Sequence, residues 1–169
     1  AARCAHAKAG VGVVASQNIT DPRLGPKTLL AMEEGHSAPE AVKMIIKAAE
    51  NANFRQLLAV DVNGNAFIYS GSKSLGNHAD FASQNAAAAG NLLANPNIPK
   101  AMVIAFHKAA GHLGDRLINA MRVALAHGGE TGPVHSAGVL MVDQQDWPLV
   151  DLRCDWTEDC PIEAVAAAW

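Results

Sequence analysis

The sequence contains few cysteines, few charged residues and few aromatic residues. The three cysteines, Cys4, Cys154 and Cys160, are too sparse for a disulfide framework and suit a reducing compartment. Charged residues make up 17% of the chain and the formal net charge is −3, so the chain lacks the basic surface that nucleic acid or an anionic membrane attracts. These shortages predict a cytoplasmic protein with no nucleic-acid partner and no membrane partner.

Long apolar runs and metal-binding motifs are also absent from the sequence. No stretch approaches the roughly 18 consecutive apolar residues of a membrane span, and the N-terminal residues do not resemble a secretory signal. There is no HExxH and no CxxC, and His107 and His112 would stand about 140° apart on a helix. The "GVG" at 10–12 is not followed by the rest of a dinucleotide loop. We therefore expect no metal and no cofactor.

What the sequence does contain is one apolar domain over residues 1–169, half of whose residues are apolar. A buried strand is predicted at 9–17, "AGVGVVASQ", followed by a helix from Pro26 to about Gly35 and a second helix from Ser37. Ser37 with Glu40 has the spacing of a capping box. The strands "RQLLAVDV" and "AFIYSGS" are predicted to form a hairpin, with Asn63 and Gly64 in a type I′ turn.

The second half of the chain repeats this grouping of strands and helices. One strand is predicted at "FASQNAAAAGN", then a helix from Pro99 to about 110 and another from about 112 to 127. The strands "SAGVLMVD" and "WPLVDLRCD" follow, separated by a turn at "QQD", and a last helix begins at Pro161. Grouped strands alternating with helix pairs do not fit a doubly wound sheet. They predict an α+β fold in which two sheets pack face to face with helices outside.

Several motifs resemble one known family. The stretches are "AGVGVVASQNITDPRLGP", "NFRQLLAVDVNG", "GNLLANP", "AGHLGDRL" and "GPVHSAG", in this order along nearly the whole chain. They resemble the Ntn-hydrolase-like family known as domain of unknown function 1028. The resemblance implies an αββα four-layer sandwich like that of proteasome-type amidases.

In that superfamily the nucleophile is the first residue of the mature chain, a Thr, Ser or Cys whose own α-amine acts as the general base. The resemblance implies a first strand upstream of Ala1, with a Thr directly after the initiator Met. Ala1 has neither a hydroxyl nor a thiol. The sequence is therefore expected to lack the nucleophile and the first strand of the sandwich. It is also expected to lack the C-terminal end of the domain, because the helical pattern that begins at Pro161 is still continuing at Trp169.

Two residues are the candidate catalytic groups that remain. Asn91 stands where the small-residue strand ends, and its amide could donate to a developing oxyanion or could only cap a turn. Ser136 begins a strand and could hydrogen-bond the amine of the nucleophile. Gly90, beside Asn91, either lets a ligand approach the backbone closely or is simply a glycine at a strand end.

Further candidates would bind substrate. Gln17 and Asn18 end the first strand with two neutral amides, which suit a substrate amide or carboxylate but also form turns. His135 could titrate near neutrality, although a histidine before a strand also serves as a boundary residue. His78 lies in the polar loop "SGSKSLGNHAD", which could act as a specificity segment or could be a loop only.

The leading hypothesis is a hydrolase of a small amide with an N-terminal nucleophile that is absent from this sequence. The alternative is a non-catalytic module of the same fold that binds a small molecule or forms an oligomer. Exposed sheet edges favour a homo-oligomer under either hypothesis. Trp147, Trp156 and Trp169 are expected to fill the core or a subunit interface.

Overall fold

The structure, a computed structural model, describes residues 3–145 and 147–169. Ala1, on which the expected missing start depends, and position 146 of the predicted "QQD" turn lie outside these residues. The strands are β1 (Ala5–Lys8), β2 (Gly12–Gln17), β3 (Gln56–Asp61), β4 (Ala66–Ser70), β5 (Ala79–Ser83), β6 (Ala86–Gly90), β7 (Ala137–Met141) and β8 (Val150–Cys154). The helices are α1 (Leu24–Glu33), α2 (Ala38–Ala48), α3 (Ile98–Lys108), α4 (Leu113–Ala126) and α5 (Pro161–Ala168), with a short 3₁₀ turn at Ala52–Phe54.

The largest sheet is antiparallel, with the strand order β1-β2-β3-β4. Val14 pairs with Ala59 across β2 and β3, and both side chains face α1 and α2, where they enter the main apolar core. Their neighbours Val13 and Val60 also pair, but point to the opposite face because side chains alternate along a strand. The two faces of this sheet therefore meet different elements.

Two separate hairpins, β5–β6 and β7–β8, lie against the four-stranded sheet. The β5–β6 hairpin contacts β3 and β4, whereas β7 contacts β1. Helix α3 packs on β5 and β6, α4 packs on α3 and β7, and α5 packs on β7 and β8. The structure is thus a mixed α/β fold with small antiparallel sheets and helices on their outer sides.

Several predicted elements are confirmed within a few residues. The β3–β4 hairpin, α2, α3, α4, β7, β8 and α5 lie where the sequence placed them. The cap of α2 forms as expected: the Ser37 backbone N–H donates to the Glu40 carboxylate at 2.8 Å. Helix α1 begins at Leu24, two residues before Pro26.

Three local predictions are wrong. The segment at 79–90 is a hairpin rather than one strand, because Asn85 takes a left-handed turn with φ 64°. Residues 5–8 form a strand that the sequence analysis missed. The β3–β4 turn is not type I′, since only Gly64 of its central pair has a positive φ, and its N–H donates to the Asp61 carbonyl at 2.9 Å.

The tryptophans do not fill the core, which was one of their two expected roles, and their expected place at a subunit interface stays a prediction. Trp147 and Trp156 are exposed, at 66% and 68%, and Trp169 lies at the surface against Gly114 on α4. The apolar side chains of α4, α5 and β7 fill that region instead, led by Ile118, Val139 and Val165. No helix among the described residues is long and apolar enough to cross a lipid bilayer.

Candidate functional site

Four of the residues selected from the sequence line one cavity of about 240 Å³. Gln17 ends β2, Gly90 ends β6, Asn91 follows it directly, and Ser136 precedes β7. The ends of three strands from three different sheets therefore meet at this cavity, which we call the amide pocket. Its remaining walls come mainly from apolar side chains of α3, α4, α5 and the adjoining loops, namely Leu93, Ile98, Met102, Met121, Leu125 and Ile162.

A buried glutamine organises the polar wall of the amide pocket. Gln56 begins β3 and is fully buried. Its Oε1 accepts hydrogen bonds from Gln17 Nε2 at 3.1 Å and from Asn91 Nδ2 at 3.2 Å. Because one carbonyl oxygen accepts from both amides, Gln56 fixes the orientation of both side chains.

The same network is tied to the backbone of β6 and to β4. Gln56 Nε2 donates to the Gly90 carbonyl at 3.1 Å and to Ser70 Oγ at 3.1 Å. Gln17 Nε2 also donates to the Ala89 carbonyl at 3.0 Å. These bonds join the main sheet to the β5–β6 hairpin. A polar network that is satisfied in this way is rigid and holds its side chains in one arrangement.

Asn91 is the member of the network that remains available to a ligand. Its bond to Gln56 is its one side-chain hydrogen bond among the described residues. The second amide hydrogen and the carbonyl oxygen of Asn91 can therefore bind a molecule in the pocket. Gly90 has a packing role, because a Cβ there would lie 2.6 Å from Leu93 Cδ2. This contact accounts for a glycine at position 90 without a ligand, and the sequence analysis did not anticipate it.

The amide pocket is nearly uncharged. Glu130 is the one ionisable side chain among the described residues that line it. Loss of solvent at the pocket rim raises the pKa of the Glu130 carboxyl, although the residue as a whole stays exposed. A neutral ligand with an apolar body and an amide or carbonyl group therefore fits this cavity better than an anion.

Three predicted substrate-binding residues lie away from the amide pocket. Asn18 has φ 57° and links two loops, donating to the Phe54 carbonyl at 2.6 Å. The ring of His135 stacks on Trp156 with centroids 4.1 Å apart. His78 is half-buried, and its ring Nδ1 lies 3.4 Å from the Gly76 carbonyl oxygen. The structure does not bring these three to the cavity that Gln17, Asn91 and Ser136 share.

Sequence reasoning missed Gln56 and Glu130. Gln56 had a visible signal, since it is a polar amide directly before the apolar run "LLAV" and so was bound to be buried with partners. Glu130 had no such signal in the sequence, because it directly follows "HGG", a helix-ending motif that is typical of an ordinary loop. No group of three or more His, Cys, Asp or Glu side chains in the described ranges could hold a metal ion.

The comparisons with known proteins agree on one family. The model of the Family of unknown function (DUF1028) matches residues 1–165. The chain is also similar to the crystal structure of protein SPO2555 from Silicibacter pomeroyi, assigned to the same family model, with a TM-score of 0.90 and 26% sequence identity. That match covers 99% of this chain and 75% of the other. No curated protein matches.

Proposed function

The chain belongs to the family of unknown function DUF1028, and from that premise we propose that it forms the substrate pocket of an amidohydrolase with an N-terminal nucleophile. The substrate is a small amide, and the nucleophile lies outside these residues. The observation that carries the proposal is the convergence of Gln17, Asn91 and Ser136 on one amide pocket.

The packing order of the elements supports an Ntn-hydrolase-like sandwich. Helices α1 and α2 cover one face of the main sheet, and the β5–β6 and β7–β8 hairpins lie against that sheet. Helices α3, α4 and α5 pack on the hairpins. This succession of helix, sheet, sheet and helix is the order that an αββα four-layer fold requires.

Each polar group of the pocket has a place in the proposed hydrolysis. An attacking hydroxyl or thiol would add to the substrate carbonyl carbon, and the negative charge would develop on the carbonyl oxygen. The Asn91 amide, held by Gln56, would donate to that oxygen. Ser136, on another wall of the cavity, would hydrogen-bond the amine that takes the proton of the nucleophile.

The second candidate is a non-catalytic binding or oligomer-forming module of the same fold. It is favoured by the lining of the amide pocket, which includes Ser136 but no histidine or lysine among the described residues, since the ring of the neighbouring His135 stacks on Trp156 instead. A hydroxyl without a base is a weak nucleophile. Under either candidate we propose a cytoplasmic homo-oligomer that uses no metal or cofactor, and under the hydrolase and the binding module alike its ligand is a small neutral molecule.

Ligand binding and turnover measured on the same protein separate the two candidates. The natural full-length protein is titrated with a panel of small amides and their carboxylic acids by calorimetry, and hydrolysis is followed by release of the amine. Amide hydrolysis that is lost when the N-terminal residue is replaced by alanine supports the hydrolase. Binding without hydrolysis in the natural protein supports the module, and hydrolysis that survives the replacement contradicts the N-terminal nucleophile.

A further inference from the structure

The backbone of β6 fixes which way the amide side chains on the polar wall of the amide pocket point. A backbone carbonyl oxygen accepts hydrogen bonds and cannot donate them. Gln17 Nε2 lies 3.0 Å from the Ala89 carbonyl oxygen, and Gln56 Nε2 lies 3.1 Å from the Gly90 carbonyl oxygen. Turning either amide over would bring two oxygen atoms together. The nitrogen atoms of Gln17 and Gln56 therefore face β6.

A carboxylate at the protein surface gives Gln56 the same orientation. Ser70 Oγ donates its proton to Asp80 Oδ2 at 2.5 Å, because an ionised carboxylate can only accept. The Ser70 oxygen is then left to accept from Gln56 Nε2 at 3.1 Å. Asp80 is an exposed residue of β5 and does not line the pocket. Through Ser70 it helps to hold Gln56 with its Oε1 toward Gln17 and Asn91.

These bonds occupy every hydrogen-bonding group of Gln56 and both donors of Gln17. Gln56 donates to Ser70 and Gly90, and its Oε1 accepts from Gln17 and Asn91. Gln17 donates to Gln56 and to the backbone of β6. Gln17 Oε1, Asn91 Oδ1 and the second amide hydrogen of Asn91 have no hydrogen-bond partner among the described residues. The wall thus offers two acceptors and one donor to a ligand.

A primary carboxamide is the chemical group that complements this set. Its carbonyl oxygen accepts one hydrogen bond from the wall, and its NH₂ group has two hydrogens to donate. An N-substituted amide has fewer hydrogens, and an ester or a ketone has none. Of the other polar side chains that line the cavity, the Ser136 hydroxyl can donate or accept, whereas the Glu130 carboxylate only accepts. Glu130 therefore also favours a ligand that carries N–H groups.

We propose that the amide pocket is a primary-carboxamide site, in which the ligand carbonyl accepts from Asn91 Nδ2 and the ligand NH₂ donates to Asn91 Oδ1 and Gln17 Oε1. The apolar body of the ligand lies against Leu93, Met121 and Ile162. The inference rests on the proposed function, because it takes this cavity as the substrate site. It adds the class of amide: hydrolysis consumes one water molecule and releases ammonia and a carboxylic acid.

A series of ligands that share one apolar body tests the proposal. The probe is isocaproamide, which is compared with its N-methyl amide, its N,N-dimethyl amide and the methyl ketone of the same carbon chain. Binding is measured by NMR titration of the protein at pH 7, following the side-chain NH₂ signals. The ketone has nearly the shape of the primary amide, so a difference between these two reports the N–H groups rather than size.

The expected order of affinity follows from the number of N–H groups. The N-methyl amide should bind at least about 5-fold more weakly than isocaproamide, and the dimethyl amide and the ketone at least about 20-fold more weakly. The physical reason is that Gln17 Oε1 and Asn91 Oδ1 would stay unpaired in a partly enclosed cavity. The side-chain NH₂ signals of both residues should shift when isocaproamide binds.

A matched pair of substitutions assigns the selectivity to the wall. Gln17→Met removes the Oε1 acceptor and keeps a side chain of similar length, so the preference for isocaproamide over the ketone should fall below about 5-fold. Gln84→Met removes an exposed amide that bonds the Asn63 carbonyl, and it should keep the preference of the wild type. Thermal melting verifies that both variants are folded, and the ligand series on the wild type decides the question if Gln17→Met is not.

Three results would overturn the proposal. One is binding of the ketone within about threefold of isocaproamide by the wild type. Another is a set of NMR shifts that excludes the residues of the amide pocket, and the third is no binding of isocaproamide up to its solubility limit.

The same preparation separates this inference from the proposed function. Equal hydrolysis of primary and N-methyl amides would overturn the primary-carboxamide site and leave the hydrolase standing. Selective binding of isocaproamide without release of ammonia would contradict the hydrolase and support the primary-carboxamide site.

Discussion

Gln17 and Gln56 face each other as the last register pair of β2 and β3, and their side-chain amides are hydrogen-bonded at 3.1 Å. Gln56 is fully buried, whereas Gln17 reaches the amide pocket. A buried amide thus sets the position of an accessible one. The pocket depends on a residue that does not line it.

Replacing Gln56 should therefore disturb both stability and binding. Gln56→Ala removes the acceptor for Gln17 and Asn91 and leaves a buried gap, so it should lower the free energy of unfolding by about 2–4 kcal/mol. Urea unfolding measures this change. Gln84→Ala, which removes an exposed amide, should alter it by less than about 0.5 kcal/mol. Equal effects of the two substitutions would refute the structural role of Gln56.

Asn91 should matter for turnover rather than for folding. In an active full-length protein, Asn91→Ala should lower kcat by about 100-fold or more, because it removes a donor to the developing oxyanion. The melting temperature should change little, since Asn91 makes one side-chain hydrogen bond among the described residues. A change in kcat of less than about threefold, measured beside an unchanged melting curve, would leave Asn91 as a turn residue.

The sequence predicted those features that depend on local pattern. Helix α2 follows from the apolar spacing of Val42, Ile45 and Ile46 and from its Ser37 cap, which are all read within one short segment. The β5–β6 hairpin was missed because alanine carries little strand preference and the turn at Asn85 resembles a continuing polar strand. Local pattern could not distinguish one long strand from two short ones.

The candidate site could be predicted in part, because some of its residues also have a recognisable local position in the sequence. Gln17, Asn91 and Ser136 stand at strand ends, and strand ends collect polar side chains whatever the fold. Asn18 and His135 also stand next to strand ends in the sequence. In the structure, however, Asn18 donates to the Phe54 carbonyl and the His135 ring stacks on Trp156. Long-range packing decides which strand ends meet at one cavity. The spacing of residues along the sequence does not give that information.

Asp61 should make stability depend on pH in the acid range. Burial acts to raise the pKa of this carboxyl, but hydrogen bonds from Ala38 N, Asn65 and Asn63 N outweigh it, so the pKa lies below its ordinary value of 3.8. A group with a lowered folded pKa stabilises the fold above its unfolded pKa, and this contribution is lost as the pH falls through the folded value.

The test compares the wild type with Asp61→Asn between pH 7 and pH 2. The variant should be less stable by about 1–3 kcal/mol at pH 7, because it loses charge-assisted hydrogen bonds. The gap should be constant above about pH 5 and should narrow below about pH 4. Asp151→Asn, at an exposed carboxylate on β8, is the control. A gap that widens on acidification would contradict the assigned direction.

Glu130 should select against anionic ligands in the amide pocket. Its carboxylate stands at the rim of a cavity that is otherwise uncharged among the described residues, so it repels a carboxylate there. For an amide and acid pair of the same shape, Glu130→Gln should tighten binding of the acid by about 5-fold to 10-fold and leave the amide within about twofold. Calorimetry at pH 7 measures both. Parallel changes for the two ligands would contradict an electrostatic role.

The last prediction concerns the contact between α1 and β1. Gly25 lies buried in α1, and a Cβ at this position would overlap the imidazole ring of His6 on β1. Alanine is the better helix former, so Gly25→Ala would stabilise an exposed helix by about 1 kcal/mol. In this protein the steric overlap with His6 should outweigh the gain in helix propensity, so Gly25→Ala should lower the free energy of unfolding by about 1–3 kcal/mol. His6→Ala removes the ring, so the double variant should be more stable than the sum of the single changes predicts, by at least about 1 kcal/mol. Urea unfolding of the four proteins gives this coupling directly, and additive changes would mean that His6 and Gly25 do not constrain each other.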